Sequence, residues 1–269
     1  MIKDFWTNRK LIGKLAKNDF KQKFAGSTLG VIWAFVQPVI TVLVYWIVFD
    51  KALSQGTQGT KAGIEAPFVL WLSAGIVPWF YFSEVLSSGT VVLSEYNYLV
   101  KKVVFPISSL PLVKAISSLF VHVFFVAFTI LMFCLYGMFP SFGAVQVIYY
   151  SFAMMLLTIG LIYLTSALCV FFKDMAQLVN IILQVGVWAT PIMWNFDAMM
   201  DKLPTWLVIV LQANPMYYIT SGYREALIAG TPFWSRPWLT LYFWCFTLVM
   251  LFIGTHVFKK LQPQFADVL

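Results

Sequence analysis

The sequence predicts an all-α integral membrane protein with six transmembrane helices. Of its 269 residues, 61% are hydrophobic and only 11% are charged, whereas a soluble domain carries about 25% charged residues. A membrane-spanning helix needs about 20 mostly apolar residues, and six such runs occur at residues 31–49, 67–86, 110–136, 145–172, 177–194 and 238–258. We therefore expect a single membrane domain that includes residues 1–269.

The distribution of basic residues predicts that both termini are cytoplasmic. Six spans place the two termini on the same side, and Lys and Arg accumulate in cytoplasmic loops. With cytoplasmic termini, 13 of the 18 Lys and Arg residues lie inside and five lie outside. This bias also accounts for the net charge of +7, so we expect no nucleic-acid partner.

Residues 1–30 predict an amphipathic segment at the cytoplasmic membrane interface. Its lysines recur at helical spacing on one face, and they include Lys10, Lys14, Lys17 and Lys21. Such a face contacts anionic lipid headgroups. The segment would serve equally as a topology anchor or as a docking surface for a partner protein.

The cytoplasmic connection between the second and third spans predicts a short exposed helix. Its charged and aromatic residues are Glu95, Tyr96, Asn97, Tyr98, Lys101 and Lys102. An exposed helix of this composition is suited to contact a partner protein. Alternatively, Tyr96 and Tyr98 are aromatic residues of the membrane-interface belt.

Two spans carry a stripe of neutral polar and aromatic residues. The stripe of the first span contains Trp33, Gln37, Thr41 and Tyr45, and that of the fifth contains Gln177, Asn180, Gln184, Trp188 and Asn195. Polar side chains in a bilayer face protein or water, so we expect both stripes to point inward. Amides and aromatic rings suit a pathway for neutral sugars, although hydrogen bonds between helices explain the stripes as well.

Residues 206–229 predict a re-entrant hairpin at the outer face of the membrane. Asn214 and Pro215 interrupt the apolar run, because Pro removes a backbone donor and disfavours helix in the preceding residue. Arg224 and Glu225 then place two charges in its second half. We expect two short helices that enter the outer leaflet and return, lying over a pathway.

Several chemical functions find no support in the sequence. It contains no GxxxxGK[ST] phosphate loop, and the predicted spans hold few ionisable residues, among them Glu84 and His122. The three cysteines have no metal-ligand spacing, so we expect neither a metal nor a cofactor in this chain. A passive channel remains, or the membrane subunit of a pump whose ATPase is another chain.

A family resemblance separates these two alternatives. Residues 19–33 read DFKQKFAGSTLGVIW, with Gln37 and Pro38 shortly after them. Further motifs are LVKKVVFP at 99–106, FKD at 172–174, TPI at 190–192, NPMYY at 214–218 and FKKL at 258–261. In this order they resemble the type-2 ABC exporter permeases that export cell-surface polysaccharides such as O-antigens, teichoic acids and capsules.

The resemblance implies a homodimer that works with two copies of a separate ATPase, which binds ATP and Mg. Its substrate would be an undecaprenyl-linked polysaccharide, exported across a bacterial plasma membrane. The N-terminal helix would contact the ATPase as an interface helix, and the loop around Glu95 would do so as a coupling helix. The first and fifth spans would line the channel, and residues 206–229 would form its external gate. Gly26 and Ser27 with nearby lysines would meet the lipid pyrophosphate. The alternatives are an exporter of drugs or small lipids with the same fold, and a channel without a motor.

Overall fold

The computed structural model describes residues 2–23, 25–52, 54, 56–101 and 106–269, with side chains from residue 8 onward. These residues are mainly helical. The helices are α1 (Ile2–Gln22), α2 (Trp33–Trp46), α3 (Phe68–Thr90), α4 (Val92–Glu95), α5 (Asn97–Lys101), α6 (Ser109–Leu135), α7 (Gln146–Phe171), α8 (Met175–Ala189), α9 (Phe196–Met199), α10 (Thr205–Gln212), α11 (Pro215–Arg224), α12 (Pro237–Leu261) and α13 (Phe265–Val268).

One end of the helical bundle, here called the terminal end, brings together both termini and two connections. These connections join α3 to α6 and α7 to α8. Asn97 donates a hydrogen bond to the carbonyl oxygen of Leu269 at 3.1 Å, and the rings of Phe171 and Phe265 lie 6.2 Å apart. The N-terminal helix α1 packs beside the start of α6 at this end.

The opposite end, here called the distal end, gathers the remaining connections. Asn195, which follows α8, donates to the carbonyl oxygen of Gly59 at 3.2 Å. Gln146, at the start of α7, donates to the carbonyl oxygen of Thr231 at 3.1 Å. Helices α2, α3, α6, α7, α8 and α12 therefore each run from one end of the bundle to the other.

Five helical segments are long and apolar enough to cross a membrane: Gly30–Ala52, Phe68–Thr90, Ser109–Leu135, Phe142–Phe171 and Pro237–Val268. They correspond to the first four predicted spans and the sixth. The fifth was predicted to continue to residue 194, but α8 ends at Ala189 after 15 residues. It is thus about 22 Å long, shorter than a hydrocarbon core of about 30 Å. The helix stops because Thr190, which precedes Pro191, adopts an extended backbone.

A small antiparallel hairpin follows the α2 segment and was not predicted. Strand β1 (Thr57–Gly59) pairs with β2 (Glu65–Pro67), so that Gln58 lies opposite Ala66. The Thr57 hydroxyl donates to the Glu65 carboxylate at 2.7 Å, and Gly63 turns the chain with a φ of 77°. Three-residue strands are too short for a recognisable alternation of apolar and polar residues.

Helix α3 forms the centre of the bundle. In the apolar stretch of α3 that is suited to span a membrane, 83% of the residues are buried, compared with 6% in the segment that contains α2. Leu70, Leu72, Ile76 and Val85 of α3 are almost fully buried in the main core, where α3 packs against α2, α6, α7, α8 and α11. The α2 segment thus lies on the outside of the single chain.

Helices α7 and α12 bring their backbones close together at two glycines. A Cβ atom on Gly254 would overlap the carbonyl oxygen of Gly160, and one on Gly160 would lie 2.8 Å from the backbone nitrogen of Leu251. Small residues allow this contact between helix backbones, which is a common way of packing membrane helices.

We expect Gly254→Ala to destabilise the protein by about 1–3 kcal/mol, because the added methyl group must push α12 away from α7. The apparent melting temperature of the purified chain in detergent measures this loss. Gly13→Ala is the matched control, because a Cβ atom there meets nothing within 4 Å. Equal melting temperatures for the two variants would contradict the close packing at Gly254.

Candidate functional site

A charged cluster at the terminal end joins three segments of the chain. The buried Asp19 carboxylate of α1 accepts hydrogen bonds from the Tyr96 hydroxyl at 2.6 Å and from the Lys114 ammonium at 2.8 Å. Lys114 of α6 also lies 2.8 Å from the Glu95 carboxylate. Burial and, next, the hydrogen bond to Asp19 raise the pKa of Tyr96. The cluster thus ties α1 and the α4–α5 connection to the start of α6.

Of the residues that were predicted to contact an ATPase, some bond within the chain and others are exposed. Tyr96 turns inward to Asp19, and Asn97 bonds to the C-terminal residue. Tyr98 and Lys101 are exposed, and the Glu95 side chain is 46% exposed beside Lys114. Lys102 lies outside the described residues. Tyr98, Lys101 and the outer side of Glu95 therefore form the accessible part of this connection.

Helix α1 is amphipathic, but its apolar face is not turned wholly to the membrane interface. The predicted lysines Lys10, Lys14, Lys17 and Lys21 are exposed. On the other side, Ile12 and Ala16 are buried against Val113 of α6. The helix, expected within residues 1–30, ends at Gln22. Packing against α6 therefore fixes α1 as part of the bundle.

Gly26 and Ser27 lie in the exposed link between α1 and α2. Gly26 has a φ of 86°, and a Cβ atom there would meet nothing within 4 Å. The link therefore leaves both residues, predicted to meet a lipid pyrophosphate, open on the surface at the terminal end.

A cavity of about 630 Å³ lies between α1, α2, α3 and α6. Three of the predicted channel residues of the first span, Trp33, Gln37 and Thr41, line it together. The fourth, Tyr45, contacts Phe49 instead, with ring centroids 6.4 Å apart. The polar stripe of α2 therefore borders a cavity inside one chain.

The polar stripe of the fifth span lies elsewhere, on the outer surface of the chain. Gln177, Gln184 and Trp188 are exposed, and Asn180 accepts a hydrogen bond from Ser87 at 3.2 Å. Asn195 caps α9 by accepting from the backbone nitrogen of Asp197 at 3.1 Å. Within one chain, the stripe does not point inward, and it does not contribute to the cavity beside α2.

At the distal end, the buried guanidinium of Arg224 binds the chain that follows α8. It donates to the carbonyl oxygens of Pro191 and Ile192, both at 2.6 Å, and to that of Trp71 at 3.2 Å. Its central carbon lies 3.3 Å from the centre of the Trp71 ring. A Cβ atom on Gly75 would overlap the guanidinium, so the glycine provides its space.

Asn214, at the break between α10 and α11, adds a second link to the same segment. Its amide donates to the Thr190 hydroxyl at 2.8 Å, while its side-chain oxygen caps α11 at the backbone nitrogen of Met216. Pro215 is the first residue of α11. The predicted break at Asn214 and Pro215 thus separates two short helices, and Asn214 fixes one of them to the end of α8.

Glu225 makes contacts different from those of its neighbour Arg224. It accepts from the backbone nitrogen of Lys61 at 3.0 Å and from the Thr231 hydroxyl at 2.6 Å. It also lies 3.6 Å from the Arg236 guanidinium. Glu225 therefore connects α11 to the β-hairpin and to the start of α12.

Comparison with known proteins identifies the family of this chain. A family model described as "ABC-2 type transporter" matches residues 10–228. The chain belongs to the ABC-2 type transporter family. As a member of this family it is a membrane subunit of a transporter and not a catalytic enzyme, and its apolar helices make it a multi-pass membrane protein.

Three relatives of this ABC-2 chain match it over nearly the full length of both proteins. An O-antigen export system permease protein RfbA from Myxococcus xanthus is 24% identical over 99% of this chain and 98% of its own length. Two proteins of the same name from Klebsiella pneumoniae are 22% and 23% identical, over 96% of this chain and 95% of their own lengths.

Sequence reasoning assigned no role to Asp19 or Lys114 and named no partner for Arg224. A signal for Asp19 was present, because it continues the helical face of Ile12 and Ala16, where a carboxylate is unexpected. Lys114 lies near the start of the predicted span 110–136. No comparable signal identified the carbonyl oxygens that surround Arg224, since every residue carries one.

We expect Arg224→Met to destabilise the chain by at least about 2 kcal/mol, because three buried carbonyl groups lose a charged donor. The measurement is the melting temperature of the purified chain in detergent. Lys202→Met, at an exposed position of the distal end, removes the same charge and should change stability by less than about 0.5 kcal/mol. A similar small effect for both variants would show that Arg224 does not hold this end together.

Proposed function

We propose that this chain is the channel-forming membrane subunit of an ABC exporter that moves lipid-linked cell-surface polysaccharide across the plasma membrane of a bacterium. The observation that carries the proposal is the similarity to O-antigen export permeases over 95–99% of the length of each protein. O-antigens, teichoic acids and capsular polysaccharides all belong to the proposed substrate class, and undecaprenyl diphosphate is the proposed lipid anchor.

The proposed topology has six crossings and cytoplasmic termini. The alternation of helices α2, α3, α6, α7, α8 and α12 between the two ends supports the even number of crossings, and the 13 basic residues assigned to the inside support the orientation. Helix α8 is short, so residues 190–195 complete its crossing. Arg224 supplies hydrogen bonds to this non-helical segment, as non-helical backbone at membrane depth requires. Helices α10 and α11 then form the external gate.

The energy source in this proposal is a separate ATPase, which binds ATP and Mg. The chain has no phosphate loop, while Tyr98 and Lys101 expose aromatic and basic groups at the terminal end. The Asp19–Lys114–Glu95 cluster lies directly behind this surface. A displacement of α4 and α5 by the ATPase would therefore move α1 and α6 with them.

The proposed channel lies between two copies of the chain. Gln177 and Gln184 are exposed on α8, and amides are costly when they face lipid. A second copy with the same stripe would enclose them in a polar pathway. Trp188 would offer an apolar face to passing sugar rings. The exposed Gly26, Ser27 and lysines of α1 are available to the diphosphate at the cytoplasmic entrance.

Lys101→Glu should reduce co-purification of the ATPase with this chain by about tenfold, since it reverses a charge on the exposed part of the coupling surface. The assay is the ratio of the two subunits after affinity purification of the co-expressed complex. Lys202→Glu makes the same charge change at the distal end and should leave this ratio unaltered. Loss of the ATPase with Lys202→Glu, or its full retention with Lys101→Glu, would contradict the coupling surface.

Deletion of the gene should abolish surface polysaccharide and cause lipid-linked glycan to accumulate inside the cell. In the complemented strain, Trp188→Ala should lower surface polysaccharide at least threefold, because the pathway loses an aromatic face. Ile182→Ala, on the apolar flank of the same helix and equally exposed, is the control with near-normal export. Immunoblotting of membranes verifies equal amounts of protein.

Surface polysaccharide that is unchanged by the deletion would overturn the proposed function. Increased drug sensitivity in that strain would then favour the drug or small-lipid exporter. Normal export with Trp188→Ala would remove α8 from the sugar pathway without affecting the proposed function itself.

A further inference from the structure

The cavity between α1, α2, α3 and α6 has the properties of a ligand site inside a single subunit. Its volume of about 630 Å³ falls within the range of about 300–1,000 Å³ for small-molecule sites. We propose that it binds a neutral sugar unit of the transported glycan before the glycan enters the channel between the two subunits. This inference rests on the proposed function and adds to it a site, a ligand class and a location.

The charges around the cavity argue against an anionic ligand. Lys23 is paired with Glu84, and Lys114 is paired with both Asp19 and Glu95. These five groups line the cavity and sum to one negative charge, three carboxylates against two ammonium groups. A diphosphate would be repelled by the carboxylates and would find both ammonium groups already neutralised. A neutral ligand meets neither cost.

The remaining lining supplies neutral groups on facing helices. Gln37 and Thr41 come from α2, and Ser118 comes from α6. The Thr41 hydroxyl donates to the carbonyl oxygen of Gln37 at 2.9 Å, so its lone pairs remain able to accept. Amide and hydroxyl groups exchange hydrogen bonds with sugar hydroxyls in both directions. Trp33 adds an aromatic face on which the apolar side of a sugar ring packs.

His122 provides an unused hydrogen-bonding group among the lining residues. Its Nε2 interacts with the Tyr223 hydroxyl at 2.9 Å and with the Ser151 hydroxyl at 3.2 Å. Its Nδ1 has no hydrogen-bond partner among the described residues, and the residue is 96% buried. Buried polar atoms are rarely left without a partner. A rotation of the ring that turns Nδ1 to the cavity would let a sugar hydroxyl supply one.

The test uses Ser118→Cys in the full ATPase complex, with Cys134, Cys169 and Cys245 replaced by Ala. Membranes are treated with a neutral maleimide, once from cells that make the lipid-linked glycan and once from cells in which its synthesis is blocked. We expect glycan to slow the labelling of residue 118 at least fivefold. Gln184→Cys, on the α8 stripe outside the cavity, is labelled in parallel.

Ser118→Trp should also reduce surface polysaccharide about tenfold, because the larger side chain fills the cavity. The amount of the variant in the membrane should equal that of the unchanged chain, and the ATPase should still bind.

The outcomes separate the two proposals. Protection of residue 118 supports the cavity site, whether or not residue 184 is also protected. Protection of residue 184 alone overturns the cavity site and leaves the exporter intact. Equal labelling of residue 118 with and without glycan, together with normal export by Ser118→Trp, likewise overturns the site. Failure of the proposed function has a different signature, namely normal surface polysaccharide in the deletion strain.

Discussion

The hydrogen bonds that surround the Arg224 guanidinium hold the distal end of the bundle together. A buried cation is tolerated only where polar groups replace its hydration. Here, the carbonyl groups of Pro191, Ile192 and Trp71 do so. Two of these carbonyl groups are accessible only because α8 has already ended at Ala189. The early end of α8 and the burial of Arg224 thus depend on each other.

The terminal end is held by a different kind of contact, between opposite charges. Lys114 lies between Asp19 of α1 and Glu95 at the end of α4, whereas Arg224 binds neutral carbonyl groups. Breaking a buried ion pair leaves an uncompensated charge, which is costly. In the proposed coupling, the three segments therefore move as one unit, while Tyr98 and Lys101 are exposed. This combination suits a coupling element that transmits a displacement without deforming.

The apolar runs in the sequence predicted most of the helices but not the contacts between them. Helices α2, α3, α6, α7 and α12 begin and end within about four residues of the predicted bounds, because hydrophobicity and length decide whether a segment can span a membrane. The break at Asn214 was predictable from Pro215 for a local steric reason. The Lys114 cluster and the carbonyl groups around Arg224 were not predictable, since they join residues 19, 95 and 114, or 71, 191 and 224, which only the packed chain brings together.

The direction of the polar stripes shows a further limit of sequence reasoning. Helical periodicity places Gln177, Gln184 and Trp188 on one face, but it does not state what that face contacts. In the single chain this face is exposed, while the stripe of α2 borders a cavity between α1, α3 and α6. The two stripes therefore occupy different environments. In the proposed dimer, α8 lines the path between the subunits, and α2 borders the proposed site for a neutral sugar within each subunit. A glycan that used both would leave its diphosphate at the exposed lysines of α1, because the carboxylates around the cavity exclude it.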